Sequence, residues 1–121
     1  MTNDIKKQDR KYLPLVYVAS AYSGDVDGNI EKAKQYCRFA LEQGQIPLAP
    51  HLMFPQFMND DNPDERELAL FMAVILLGKC DELWVFGDNV SEGMSVEIEV
   101  AKKRRQAIRY FNSSLQEVAE L

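Results

Sequence analysis

The sequence predicts a single three-layer α/β domain, in which a parallel sheet of about four to five strands is flanked by helices. Three observations predict this fold. The chain has 121 residues, of which 46% are hydrophobic and 27% charged, and this is the size and usage of one globular domain. Short apolar runs rich in β-forming residues alternate with longer segments of helical spacing. Such alternation specifies parallel strands joined by right-handed crossovers.

Four short apolar runs are the predicted strands. The first, residues 13–20, is nearly continuous, as expected of a central parallel strand. In the second run Pro47 argues for an edge position, or for a strand that begins there. The predicted strands cover residues 13–20, 45–49, 81–86 and 107–111. With helices between them, they indicate a flavodoxin-like or Rossmann-like arrangement.

Helical spacing and capping residues mark the segments between the strands. Asn29 is predicted to cap a helix that begins at Ile30, and Gly44 stands where that helix ends. The remaining predicted helices cover residues 62–79 and 94–105, and residues 112–121 are compatible with a last short helix. We therefore divide the chain into a polar N-terminal tail, residues 1–12, and one domain, residues 13–121.

Charge and hydropathy argue against two classes of partner. Fourteen Lys and Arg against nineteen Asp and Glu give a net charge of −5, which is unfavourable for binding a nucleic-acid polymer. The basic run 102–105 is typical of the solvated end of a helix. The longest apolar stretch, residues 68–77, is shorter than the roughly 20 residues that cross a bilayer, so we expect no membrane partner.

The cysteines and the histidine argue against a metal site. One His and two scattered Cys leave too few ligands for zinc. Both Cys37 and Cys80 are expected in helices, on apolar faces. A disulfide between them is the alternative, but two reduced thiols in a cytoplasmic protein without a secretory signal are favoured.

Ligands of open parallel sheets bind beyond the carboxyl ends of the strands, so three loops are candidates for the site: residues 21–28, 50–61 and 87–95. The first loop follows Ser20 and leads to a helix N-terminus. Its hydroxyls and free backbone N–H groups suit a phosphate or a sugar hydroxyl. The alternative is that these are turn and capping residues. The candidates here are Ser20, Tyr22, Ser23 and Gly24.

The third loop also opens a helix. Gly93 allows close backbone approach, Ser91 can donate a hydrogen bond, and Glu97 follows in the first turn of the helix. An acid at this position often only complements the helix dipole. Because it lies beside two loops that suit an anion, however, Glu97 is a candidate nucleophile toward a sugar carbon.

The second loop is apolar and aromatic, with two prolines, which is typical of a shaped wall. Phe54 and Phe57 are candidates to pack against a ligand, although core packing is the commoner fate of such residues. His51 is the only histidine, and lies at the end of a strand. It is a candidate ligand contact or acid, and the alternative is that it caps a backbone carbonyl.

These residues resemble the nucleoside 2-deoxyribosyltransferase superfamily, which includes the deoxynucleoside 5′-monophosphate N-glycosidases and many small uncharacterised proteins. The resemblance covers about residues 14–111, and its best-matching segment is residues 80–101. Residues 16–24 match the opening strand and ligand loop. Residues 80–101 match a Cys-Asp pair, a strand and a Ser-x-Gly-x-x-x-Glu-x-x-x-Ala run. The resemblance implies that Glu97 is the nucleophile, that Ser91 contacts phosphate or substrate, and that the protein is a homodimer or larger.

One position departs from the family pattern. Members with demonstrated chemistry usually carry an Asp about eight positions ahead of the Asp of the Cys-Asp pair, and this chain has Ala73 there. That Asp is thought to handle the proton of the leaving base or to assist the glutamate. The candidate replacements from the neighbouring loop or helix start are Asp60, Asp61, Asp64 and Glu67.

The resemblance and the residues together predict an N-glycosidic bond hydrolase or deoxyribosyltransferase acting on a nucleoside or its 5′-monophosphate. Glu97 would attack the anomeric carbon, with Tyr22 or a loop acid orienting it. The alternative is a non-catalytic binder of a nucleotide or a nucleotide-derived ligand, which the departure at Ala73 favours. An interaction protein with an incidental crevice is a third, weaker reading. No metal or organic cofactor is expected, because a glutamate mechanism needs none.

Overall fold

The computed structural model describes residues 12–121, and the predicted tail therefore lies almost wholly outside the described residues. Within these residues the five strands are β1 (Leu15–Ala19), β2 (Ile46–Leu48), β3 (Glu82–Phe86), β4 (Ala107–Phe111) and β5 (Glu117–Val118). The helices are α1 (Val26–Glu42), α2 (Pro50–Met53), α3 (Pro63–Leu77) and α4 (Glu92–Lys103), with a 3₁₀ turn at Phe54–Gln56 after α2.

The strands form one sheet in the order β2-β1-β3-β4-β5, parallel except for the last pair. The predicted α/β fold is therefore confirmed, and Pro47 lies in the edge strand β2, as expected of a residue that lacks a backbone donor. The chain leaves β1 on one side to β2 and returns to its other side at β3. The carboxyl ends of β1 and β3 thus form the switch point at which such sheets bind ligands.

The sheet has a separate core on each face. Alternate residues of β1 point to opposite sides: Val16 and Val18 pack with α1, whereas Tyr17 and Ala19 pack with α3 and α4. The face that carries α1 holds an aromatic cluster, which we call the α1 face. The other, which we call the α3/α4 face, holds the buried residues of those two helices.

Helix α1 begins four residues earlier than predicted. Asp25, and not Asn29, is its N-cap, and the Asp25 carboxylate accepts a hydrogen bond from the Gly28 N–H at 3.2 Å. The Asn29 side chain instead donates to the backbone carbonyls of Tyr22 and Ser23, both at 3.0 Å. Asn29 therefore ties the loop after β1 to the first turn of the helix.

The predicted C-terminal helix is wrong, because residues 112–121 turn back and add β5 to the sheet. The carbonyl oxygen of the Asn112 side chain accepts hydrogen bonds from the N–H groups of Ser114 and Gln116. This local bonding favours a turn over a helix. Arg109 and Glu117 then pair across the two strands, with an N–O distance of 2.7 Å.

Two smaller predictions also need correction. Cys80 lies in the turn between α3 and β3, not in a helix, although it is buried. Cys37 lies in α1 as expected, and both thiols are free. The aromatic connection after β2 is helical, since it contains α2 and the 3₁₀ turn.

Candidate active site

Glu97 is fully buried, although it lies only six residues into α4. Two side chains meet one of its carboxylate oxygens: the Tyr17 hydroxyl donates a hydrogen bond to Oε2, and His51 Nε2 lies 3.2 Å from the same atom. The other oxygen, Oε1, has no partner within the described residues. We call these three residues the Tyr17–His51–Glu97 cluster.

The sequence delivers the three side chains from different elements. Tyr17 points to the α3/α4 face because β1 alternates its side chains. Glu97 shares the inward face of α4 with Met94, Ile98 and Ala101, at the spacing of one helical stripe. His51 is the second residue of α2, directly after the edge strand β2. The cluster is therefore assembled from positions 17, 51 and 97.

Burial and charge fix the protons around the carboxylate. The pKa of Tyr17 lies far above its ordinary value because of burial, and because the charge and hydrogen bond of Glu97 favour the neutral phenol. Tyr17 is thus a hydrogen-bond donor at every physiological pH. Burial alone would lower the pKa of His51, but the hydrogen bond and charge of Glu97, together with the charge of Asp60, raise it.

A cavity of about 520 Å³ opens beside this cluster. Its walls come from the three loops at the switch point and from the first two turns of α3. His51 lines the cavity, whereas the buried Glu97 does not reach its surface. The predicted site residues that line it are Ser20, Tyr22, Ser23, His51, Phe54, Ser91 and Gly93.

Two predicted contacts lie elsewhere. Phe57 does not line the cavity; it is 68% exposed and meets Phe54 edge to face, with the ring centroids 6.0 Å apart. Gly24 does not line it either, and its backbone has φ +93°, a conformation that favours glycine in a turn. The turn interpretation therefore fits Gly24, and only Phe54 of the two aromatic residues forms part of the wall.

Tyr22 was predicted to orient Glu97, but among the described residues it makes no hydrogen bond to the Glu97 carboxylate. It lines the cavity, but the phenol that donates to the carboxylate is that of Tyr17. Sequence reasoning assigned Tyr17 to the core strand and missed this role. The available signal was a hydroxyl-bearing residue within a strand that is otherwise buried and apolar, since such a group needs a partner.

The third loop has both structural and binding capacity. The Ser91 hydroxyl caps α4 by accepting a hydrogen bond from the Met94 N–H at 3.3 Å, and its own proton stays available to a ligand. A Cβ placed on Gly93 would meet no atom within 4 Å apart from its chain neighbours and the backbone of its own helix. No contact within the described chain therefore demands glycine at that position.

The charged residues of the cavity wall are mostly acidic. Asp60, Glu65 and Glu92 line it together with one guanidinium, that of Arg66. Arg66 is bound to Asp60, since its Nη2 donates to the backbone carbonyl at 2.8 Å. A phosphate in this cavity would therefore depend on hydroxyls and backbone N–H groups, as the sequence of the first loop predicts.

Ala73, which stands where the family usually has an Asp, is buried in the core of the α3/α4 face. A replacement acid would therefore have to come from another position. Of the four candidate replacements only Asp60 lines the cavity. The Cys-Asp pair has a structural role, because the Asp81 carboxylate accepts hydrogen bonds from the Leu15 N–H at 2.8 Å and the Tyr12 hydroxyl at 2.5 Å. These bonds lower the pKa of Asp81 and fix the beginning of β1.

Between residues 12 and 121, no three His, Cys, Asp or Glu side chains are grouped so that they could hold a metal ion. In the same part of the chain, no helix is both long and apolar enough to cross a membrane.

Fold and cavity together define an α/β protein with a cavity at the switch point of its sheet. Residues 14–111 match the model of a family described as a domain of unknown function, DUF7768, and the chain belongs to that family. No curated protein sequence is significantly similar to it.

A similar solved structure is that of a 2-deoxyribosyltransferase from Bacillus psychrosaccharolyticus, an enzyme described as a biocatalyst for nucleoside synthesis. The match has a TM-score of 0.61 and 17% sequence identity, and covers 81% of this chain and 72% of the other. At this identity the likeness establishes a shared fold.

Proposed function

We propose that the protein cleaves the N-glycosidic bond of a nucleoside or nucleoside 5′-monophosphate, with Glu97 as the nucleophile. The observation that carries this proposal is the bonding of the Glu97 carboxylate. A buried carboxylate whose Oε1 has no hydrogen-bond partner within the described residues is costly for folding, and a catalytic role is one explanation for such a group. Tyr17 and His51 bind Oε2, so Oε1 is the oxygen that we assign to attack an anomeric carbon, once ligand binding opens the wall between Glu97 and the cavity.

The cavity fits a ligand of this kind. Its volume of about 520 Å³ lies within the range of small-molecule pockets, and its wall combines apolar side chains that suit a base with polar side chains that suit a sugar. Phe54 offers a ring for the base, while Ser20, Ser23 and Ser91 offer hydroxyls for a sugar or phosphate. The shared fold with a 2-deoxyribosyltransferase supports the same assignment.

The competing function is non-catalytic binding of a nucleotide or nucleotide-derived ligand. The observation in its favour is Ala73, which removes the acid expected beside the glutamate. This binder would use the same cavity and would not need a reactive Glu97.

Base release separates the two functions. The purified chain would be incubated with ribo- and deoxyribonucleosides and their 5′-monophosphates, and free base quantified by chromatography beside a Glu97→Gln variant of unchanged circular dichroism. We expect release from the wild type and a loss on the order of 10³-fold or more in the variant, as for other enzymes that lose a nucleophile. Binding of a ligand without release by the folded wild type would favour the binder.

We further propose that two copies of the chain associate through α3. Leu68, Phe71 and Ile75 form an exposed apolar stripe on this helix, spaced by three and four residues, with Phe71 63% exposed. A second copy would cover the stripe close to the cavity wall. Sedimentation of Phe71→Glu should then show a monomer where the wild type sediments as a dimer, and Ile46→Glu, an exposed apolar position on β2, is the matched control. A monomeric wild type would contradict this assembly.

Free thiols support a location in the cytoplasm. Burial raises the pKa of both Cys37 and Cys80 to about 11, so both are protonated and unreactive at neutral pH. Cell fractionation would test this location.

A further inference from the structure

His51 connects the buried Glu97 with the cavity. Its Nε2 lies 3.2 Å from Glu97 Oε2, and its side chain, 28% exposed, also lines the cavity. Within the described residues Nδ1 makes no hydrogen bond, and it is not one of the buried unpartnered atoms, which are Glu97 Oε1 and Gln106 Oε1. One ring nitrogen is therefore engaged with the carboxylate and the other is accessible.

The remaining polar groups of the cavity are less suited to deliver a proton. Asp60 lies 3.8 Å from the Arg66 guanidinium, and the Glu65 carboxylate accepts a hydrogen bond from the Asn59 N–H at 3.0 Å. The pKa of Tyr22 is raised by burial and by nearby acids, which disfavours release of its proton near neutral pH. Glu92 is exposed at the start of α4.

We propose that His51 is the general acid–base of the site, exchanging its Nδ1 proton with the leaving base and then with the attacking water. This inference rests on the proposed function. It assigns to His51 the proton transfer that an Asp at the position of Ala73 is thought to perform in the nucleoside 2-deoxyribosyltransferase superfamily. The chain thus replaces a carboxyl group on α3 with an imidazole on α2.

The proposed reaction has two steps. First, Glu97 Oε1 forms a bond to the anomeric carbon while the bond from that carbon to the base nitrogen breaks, and the base takes the Nδ1 proton of the imidazolium. Second, a water oxygen bonds to the anomeric carbon, its bond to Oε1 breaks, and the water proton returns to Nδ1. Throughout both steps Nε2–H remains hydrogen-bonded to Oε2.

Several charges act on this imidazole. Glu97 from α4 and Asp60 from the loop before α3 favour its charged form and raise its pKa, while burial opposes them. The neutral phenol of Tyr17, from β1, shares the Oε2 atom. The other ionisable groups that line the cavity within the described residues are Tyr22 from the loop after β1, Glu65 and Arg66 from α3, and Glu92 from α4.

A leaving-group comparison tests the proposal. His51→Gln keeps an N–H donor for Oε2 but cannot donate a proton, so it isolates the acid role. Ordinary purine nucleosides need protonation of the base, whereas N7-methylated purine nucleosides carry a cationic base that leaves without it. We expect His51→Gln to lose about 100-fold or more on the ordinary substrates and less than about tenfold on the methylated ones.

Equal losses on both substrates would overturn the proposal and leave His51 as a positioning residue. A larger substrate-dependent loss in Asp60→Asn would overturn it too and would assign the acid role to Asp60. If the wild type releases no base from either substrate class, the proposed function itself fails. If it releases base and only the leaving-group dependence is absent, the proposed function stands and this inference fails.

The wild type offers a second test that needs no variant. The chain has a single histidine, so an NMR titration of a tag-free preparation reports His51 alone. Because the imidazolium is the reactive form, base release from ordinary substrates should fall as the pH rises through the measured midpoint, and release from methylated substrates should not. We expect this midpoint above the ordinary value of about 6.5 and lower in Glu97→Gln. A rate profile that ignores the midpoint would contradict the proposal.

Discussion

The two faces of the sheet use the same strands for different ends. On the α1 face, aromatic side chains stack on one another: the ring centroids of Tyr36 and Phe86 are 4.6 Å apart, and those of Phe86 and Phe111 are 5.0 Å apart. On the α3/α4 face, the carboxylate of Glu97 is buried and contacts the Tyr17 phenol and the His51 imidazole. The packing of the α1 face stabilises the fold, whereas the buried acid beside the cavity on the α3/α4 face lowers the free energy of unfolding.

Tyr17 and Trp84 make this contrast specific. They lie on adjacent strands, and both are fully buried aromatic residues with a polar tip. Trp84 Nε1 donates to Glu82 on its own strand at 2.8 Å, while the Arg109 guanidinium covers its ring. Tyr17 donates to Glu97, 80 residues away in sequence. Trp84 therefore hydrogen-bonds within its own strand, whereas the Tyr17 hydroxyl hydrogen-bonds to a residue of the candidate site.

The larger effect is expected for Tyr17→Phe. Removing the hydroxyl leaves Glu97 Oε2 with His51 as its partner, and a hydrogen bond to a charged group contributes about 1.5–3 kcal/mol. We expect the free energy of unfolding to fall by about that amount and base release to fall by roughly tenfold or more. Urea denaturation and the base-release assay measure the two quantities on the same preparation.

A smaller effect is expected for Trp84→Phe, the matched change on the α1 face. It removes ring atoms and a local hydrogen bond on the opposite face of the sheet from Glu97, so it should lower the free energy of unfolding by about 1–3 kcal/mol and leave the rate of base release unchanged. Loss of activity in Trp84→Phe, with Tyr17→Phe as active as the wild type, would contradict the assignment of the site to the α3/α4 face.

Patterns local in sequence predicted most of the fold. Pro47 predicted an edge position, and the polar cap and Pro at residues 62–63 predicted the start of α3. The same local rules failed at Asn29, because two backbone carbonyls compete for its side chain, and at Asn112, whose side chain favours a turn. Both errors concern asparagines whose partners become evident only when the chain is folded.

The candidate site was harder to predict, since its parts are distant in sequence. Loop composition and the family resemblance singled out Glu97, and position at a strand end singled out His51. Neither could reveal that the two side chains meet, or that Tyr17 is the phenol between them and the sheet. Side-chain alternation predicts which face Tyr17 occupies, but only the packing of α4 on that face identifies its partner.

Trapping the covalent intermediate is the most direct test of Glu97 as the nucleophile. A nucleoside and its 5′-monophosphate with fluorine at the 2′ position of an arabinosyl ring would be incubated with the protein, because the electronegative fluorine slows breakdown of a glycosyl–enzyme ester. Intact mass and peptide mapping would then locate any adduct. We expect one added glycosyl group on the peptide that contains Glu97, and no adduct in Glu97→Gln. Base release without an adduct, or an adduct on another residue, would contradict it.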